Sequence, residues 1–185
     1  MTVVRLDAGR LAALAGELAE LLVDSVDAGA SLGFLAPLDP AQALAWWQER
    51  AGQVAEGRLV VWAVLDAGRV VGTVSLAHSD KPNSRHRAEV VKLMVHRETR
   101  GSGVGRRLLA TAEEAAAASG LSLLHLDTET DSPAERFYDS AGWTRLGAIP
   151  DYAADPGGVL RPTSIYFKRL ASPCPAVGEP APPTR

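Results

Sequence analysis

The chain has 185 residues, 46% of them hydrophobic, and 22 acidic against 19 Lys or Arg residues give a net charge of -3. That length suits one domain with its own core, and the near-balanced charge excludes a protein that coats nucleic acid, whose basic excess would be plain. The single cysteine, Cys174, cannot form an internal disulfide, which fits a reducing, cytoplasmic setting; no signal peptide opens the chain and no apolar run is long enough to cross a membrane.

Residues 2–6 read as a first strand. Asp7 can N-cap a helix whose apolar positions Leu11, Leu14, Ala15, Leu18, Leu22 and Val26 share one face, ending near Gly29. Segment 30–38 is a loop. Asp39 and Pro40, with Gln42 completing a capping box, start a second helix that runs to about Glu56. Two strands, Leu59–Leu65 and Val70–Ala77, flank an Asp-Ala-Gly-Arg turn and form a hairpin. Residues 78–86 read as a loop and Glu89–Val95 as a long strand. A helix follows over Gly103–Ser119, stopped by Gly120.

Leu121–Asp127 is the next strand, and Ser132-Pro133-Ala134-Glu135 combines a capping box with proline in the first turn of a helix that ends at Ala141-Gly142. Trp143–Ala148 and Ser164–Lys168 close the domain as strands, with 149–163 as a loop between them. The tail 171–185 holds five prolines in fifteen residues and reads as disordered. The expected fold is α/β (α+β): one mixed, mostly antiparallel sheet of six to seven strands over residues 1–170, with helices on both faces.

The run Arg100-Gly101-Ser102-Gly103-Val104-Gly105 lies directly after a strand and directly before a helix. Glycines let the backbone approach an anion, and the helix start adds unpaired N–H groups and the positive end of its dipole, on the order of 1 kcal/mol per contact. A tight strand-to-helix turn is the plain alternative. The run has no Lys-Ser/Thr ending, so it is not a nucleotide P-loop, and its mid-chain place does not suit a dinucleotide fold.

That run resembles the signature of the GNAT superfamily of N-acetyltransferases, Gln/Arg-x-x-Gly-x-Gly/Ala after the fourth strand. Ala134-x-x-Phe137-Tyr138-x-x-x-Gly142-Trp143 resembles the second signature of that family, and the element order matches over roughly residues 2–170. Within the family, Lys92–Val95, Leu124–Glu129 and Arg161–Lys168 are similar to tabtoxin-resistance acetyltransferases, which act on an amino-acid-like toxin. The resemblance implies acetyl-coenzyme A as co-substrate, no metal, and as acceptor the primary amine of a small molecule, an amino-acid-like antibiotic or toxin included. It implies no nucleic-acid or membrane partner; a homodimer is common in the family, but no residue here marks an interface.

The resemblance also supplies site residues. Glu89 and Asp127 match the proton-accepting pair, and Tyr138 the acid that protonates the leaving thiolate. Backbone N–H groups of Met94 and Val95 are expected to meet the pantetheine and thioester carbonyl. Leu93, Arg100, Gly101, Ser102, Gly103, Val104, Gly105, Arg106, Ala134 and Phe137 complete the cofactor side. The alternatives are an exposed strand charge paired with Arg87 for Glu89, a turn or cap for Asp127, and core packing for Tyr138. Asp131 departs from the asparagine of many relatives. Four histidines, His78, His86, His96 and His125, show no metal-ligand spacing. Phe34, Trp46 and Trp47 are candidates for the acceptor wall, and Asp151, Tyr152 and Asp155 for attracting a cationic amine. Two other functions stay open: acetylation of a protein N-terminus or lysine, and a non-catalytic acyl-coenzyme A sensor.

Overall fold

A computed structural model of the chain describes residues 1–171, so Cys174 and all but the first residue of the expected tail lie outside the described residues. Seven strands are present among the described residues: β1 (Thr2–Leu6), β2 (Leu59–Asp66), β3 (Arg69–His78), β4 (Arg87–Val95), β5 (Leu123–Glu129), β6 (Thr144–Ala154) and β7 (Leu160–Arg169). They form one sheet in the order β1-β2-β3-β4-β5-β7-β6. Every neighbouring pair is antiparallel except β4 and β5, because α4 (Val104–Ala118) crosses between those two and returns the chain in the same direction.

Helices cover both faces, as the sequence pattern predicts. On one face α1 (Ala8–Ala13), α2 (Ala15–Asp27) and α3 (Pro40–Ala55) bury Leu11, Leu18, Leu22 and Trp47 against Val61 and Ala63. On the other, α4 and α5 (Pro133–Ser140) bury Val104, Leu108 and Tyr138 against Val74, Leu124 and Leu126. No helix among the described residues is long and apolar enough to cross a membrane.

Two expectations are corrected. The first helix bends at Leu14, which leaves the helical region at φ -99 and ψ 7 while hydrogen bonds Leu14 N to Arg10 O and Leu18 N to Leu14 O carry the chain across. Residues 149–163 form a strand hairpin rather than a loop. Its Asp, Pro and Gly residues make a bulge at Asp151 (φ 50) and a tight turn after Ala154, so pairing between β6 and β7 resumes on both sides. Asp155 closes that turn, accepting from the Val159 N–H at 3.0 Å and from Arg161 Nε at 2.9 Å.

One glycine fixes where α4 begins. A Cβ on Gly72 of β3 would stand 2.8 Å from Val104 Cγ1, 3.0 Å from Leu108 Cδ1 and 3.2 Å from the Met94 carbonyl. The first turn of α4 therefore rests directly on the sheet backbone. Gly72→Val is expected to lower stability by about 1–3 kcal/mol through overpacking, read as a reduced urea midpoint; an unchanged midpoint contradicts that packing.

Candidate active site

The parallel pairing of β4 with β5 covers only Arg87–Leu123, Ala88–Leu124 and Glu89–His125. Beyond Glu89 the strands part. A register shift against β3 and a positive φ of 53 at Lys92 mark a bulge at that point, and a bulge adds bend and twist to the strand that carries it. The result is a gap that opens from Glu89 towards Val95. His96 N donates to Val71 O at 3.0 Å, and Val95 and Met94 sit opposite Gly72 and Thr73. Antiparallel alternation then turns the Met94 N–H into the ladder with β3 and the Val95 N–H away from it, towards the gap. Of the two amides the sequence pointed to, Val95 faces the opening; Met94 does not, and its side chain is buried in the opposite core.

At the open end of the gap the chain bends through Gly101 (φ 79) and Gly103 (φ 85), and Gly103 N-caps α4 without any side-chain cap. Both conformations suit glycine. A Cβ at either would meet nothing within 4 Å, so the bend lines open space. Ser102 N donates to Thr99 O. Among the described residues, the N–H groups of Gly101, Gly103, Val104, Gly105 and Arg106 meet no acceptor, and with the dipole of α4 they make an anion cradle.

Ser102 Oγ is turned to Thr99 O at 2.6 Å. The Arg106 guanidinium donates to Ser140 Oγ at 2.9 Å and lies 5.9 Å from the Phe137 centroid, tying the start of α4 to the end of α5. Arg100 is held only through Nε, by the Val95 carbonyl at 3.1 Å, and its exposed guanidinium stands beside the cradle. Phe137 packs behind Gly105, whereas Ala134 is exposed on the first turn of α5. Asp131 adopts φ 61, and its N–H donates to Glu135 Oε2 at 2.6 Å; the Glu135 carboxylate thus reaches one residue further back than a capping box would.

The titratable groups collect at the narrow end of the gap. Burial raises the Glu89 carboxyl above its ordinary value, the Asp127 charge raises it further, and Arg87 and Lys92 oppose both. Arg87 makes no ion pair with Glu89; it donates to His125 Nε2 at 2.7 Å. His125 is thereby a neutral acceptor, and burial and the Arg87 charge both lower its pKa. Glu89, His78, Arg87 and His125 line a hollow of about 210 Å3. Asp127 is exposed on β5. Tyr138 is 7% exposed and packs edge-on to Phe137 at 5.3 Å, and burial with the Asp127 charge pushes its phenol upward, so the hydroxyl keeps its proton. Among the described residues no three of His, Cys, Asp or Glu are grouped as metal ligands.

The acetyltransferase (GNAT) family description matches residues 26–143, well over half of the chain. The chain belongs to the GNAT acetyltransferase family. Solved structures share its fold: ribosomal-protein-alanine N-acetyltransferase from Brucella melitensis aligns at TM-score 0.71 and 22% identity, covering 92% of this chain and 100% of that one. An N-acetyltransferase from Staphylococcus aureus Mu50 aligns at TM-score 0.75 and 14% identity, over 92% and 100%. The protein yncA from Salmonella typhimurium, solved with its cofactor acetyl-CoA, aligns at TM-score 0.71 and 22% identity, over 93% and 95%. The present chain is accordingly an acyltransferase.

In this GNAT enzyme residues 28–38 and the β6–β7 turn meet where Ala36 N donates to Pro156 O at 2.8 Å. Phe34 and Trp46 meet edge to face at 5.9 Å, while Trp47 is fully buried. Lys92, which sequence reasoning passed over, donates to Leu32 O at 2.6 Å. In the sequence it stands only as a charge inside an apolar strand and as the first residue of the Lys92–Val95 run, with no role attached. Asp155 is committed to its turn, and Asp151 and Tyr152 stand exposed on the hairpin.

Because the folded Glu89 carboxyl titrates above 4.5, its charged form weakens the fold. That penalty is absent below the unfolded value and grows as pH rises through the folded one. Glu89→Gln is therefore expected to be more stable than wild type at about pH 7 and to show no such gain at about pH 4, by urea unfolding. A gain only at acid pH contradicts the raised carboxyl.

Proposed function

We propose that the enzyme moves an acetyl group from acetyl-coenzyme A to a primary amine of a small, amino-acid-like molecule. The observation that carries this reading is the joining of the unpaired amides at 101–106 to a strand gap whose narrow end holds Glu89. The residues fit coenzyme A: the open glycine bend and Arg100 suit a diphosphate, and the gap beside the Val95 amide suits an extended polar arm. When bound, acetyl-coenzyme A supplies a thioester, an activated acyl group with a thiolate to leave.

A free alkylamine has a pKa near 10.4, so at pH 7 only about one molecule in a thousand or fewer carries the lone pair that attacks. Glu89, with its raised carboxyl, takes the proton from the amine, and Asp127 adds the second negative charge that draws the ammonium in. As the new N–C bond forms and the C–S bond breaks, the Tyr138 hydroxyl gives its proton to the departing sulfur. The Val95 N–H, facing the gap, holds the pantetheine arm.

The arch from Ala36 to Pro156 supports a small acceptor rather than a protein chain, since it spans the side from which the amine enters. Likeness to tabtoxin-resistance acetyltransferases over Lys92–Val95 and Leu124–Glu129 supports an amino-acid-like one, an antibiotic or toxin included.

Thiol release from acetyl-coenzyme A across a panel of small amines tests the activity; release with none of them contradicts it. Tyr138→Phe is expected to lower kcat by roughly 10²–10⁴-fold and to leave acetyl-coenzyme A affinity by calorimetry unchanged. Wild-type turnover in that variant assigns Tyr138 to packing with Phe137 and Trp143.

A further inference from the structure

The backbone itself builds one cation into the acceptor side. Lys92 sits at the β4 bulge with φ 53, and its side chain is carried out of the strand towards the loop that follows α2. Its Nζ donates to Leu32 O at 2.6 Å and stands 5.5 Å from the Phe34 centroid and 5.1 Å from that of Trp46. Arg50 lies 4.0 Å over the same Trp46 ring. Two aromatic faces and a carbonyl are the surroundings that capture a ligand ammonium. Here the protein's own ammonium already fills them.

Burial lowers the Lys92 pKa below its ordinary value and Arg50 on α3 lowers it further, while Asp127 on β5 and Glu89 on β4 oppose both and favour the ammonium. The site is therefore divided. Glu89 and Asp127 offer negative charge to one amine at the narrow end of the gap, and Lys92 with Arg50 offers positive charge along the aromatic wall. An acceptor with an ammonium at each end would place its second cation against that wall, where like charges repel and the aromatic faces are taken.

We infer that Lys92 is a specificity-determining residue, filling the aromatic corner of the acceptor pocket so that diamines and polyamines are turned away and amines whose other end is neutral or a carboxylate are accepted. This rests on the acetyl-transfer reading above and narrows its substrate class. The assignment concerns selection among acceptors, with the proton path left to Glu89 and Tyr138.

The test uses a length-matched pair, 4-aminobutyrate and 1,4-diaminobutane, with acetyl-coenzyme A and thiol release. Wild type is expected to favour the aminobutyrate in kcat/KM by on the order of tenfold or more. Lys92→Gln keeps an N–H donor for Leu32 O but removes the charge, and is expected to erase that preference; Lys92→Arg is expected to keep it. Titrating both amines into the coenzyme A complex by calorimetry gives the same ratio without turnover. An unchanged ratio in Lys92→Gln overturns the inference, as does a wild-type preference for the diamine. A reduced ratio accompanied by faster hydrogen exchange over residues 28–38 also overturns it, because Lys92 would then act by holding the loop. Failure of the wild type to bind coenzyme A contradicts the acetyl-transfer reading first and this inference with it.

Discussion

Strands β4 and β5 share a ladder for three residue pairs and then separate, and the site is built in that separation. A parallel pair that continued would satisfy the Val95 N–H with a β5 carbonyl and close the sheet. The bulge at Lys92 prevents this by bending β4 where its partner β3 still holds it. The open amide edge, normally a hazard for aggregation, is here enclosed between α4 and the α1–α3 layer. It becomes a place where an extended, hydrogen-bonding arm can take the role of the missing strand.

The bend at 100–105 has to stay aligned with that gap, and contacts on both sides of the sheet hold it. Gly72 lets the first turn of α4 sit on β3, and Arg106 ties the same turn to Ser140 of α5. On the opposite face Asp24 of α2 pairs with the Arg97 guanidinium and accepts from the Arg97 N–H at 3.1 Å, anchoring the loop just before the bend. A cradle made of backbone amides has no side chain to adjust its aim, so its direction depends on these packing and hydrogen-bond contacts. The gain is that little reorganisation is needed when an anion arrives.

Much of this was readable in the residues. Apolar spacing and caps located the α-helices, apart from the break at Leu14 that divides the first, and Gly101 and Gly103 disclosed a bend before a helix because glycine before a helix start has few other uses. The hairpin at 149–163 was hidden because Pro150, Asp151, Asp155 and Gly158 carry the composition of a loop, whereas here they form one bulge and one turn inside continuous pairing. Met94 was assigned to the gap because strand alternation alone cannot say which amides face outward; that needs the register, which Val71 and His96 supply. Arg87 entered only as the partner of Glu89 in the alternative reading of that carboxylate, and it binds His125 instead, a partner on a strand 38 residues later that no local pattern could name. Lys92 was overlooked for the same reason: its wall of Leu32, Phe34 and Trp46 is assembled only by the fold.

The account stands on backbone amides at the α4 start gripping the diphosphate of coenzyme A. Calorimetric titration of coenzyme A into wild type and into Gly103→Val addresses this directly, since a β-branched residue disfavours the left-handed conformation at that bend and its side chain would enter the open space of the cradle. The account predicts clear binding by wild type and a loss of at least about tenfold in the folded variant, the equivalent of one or two helix-terminus contacts. Equal affinity in both proteins would contradict it.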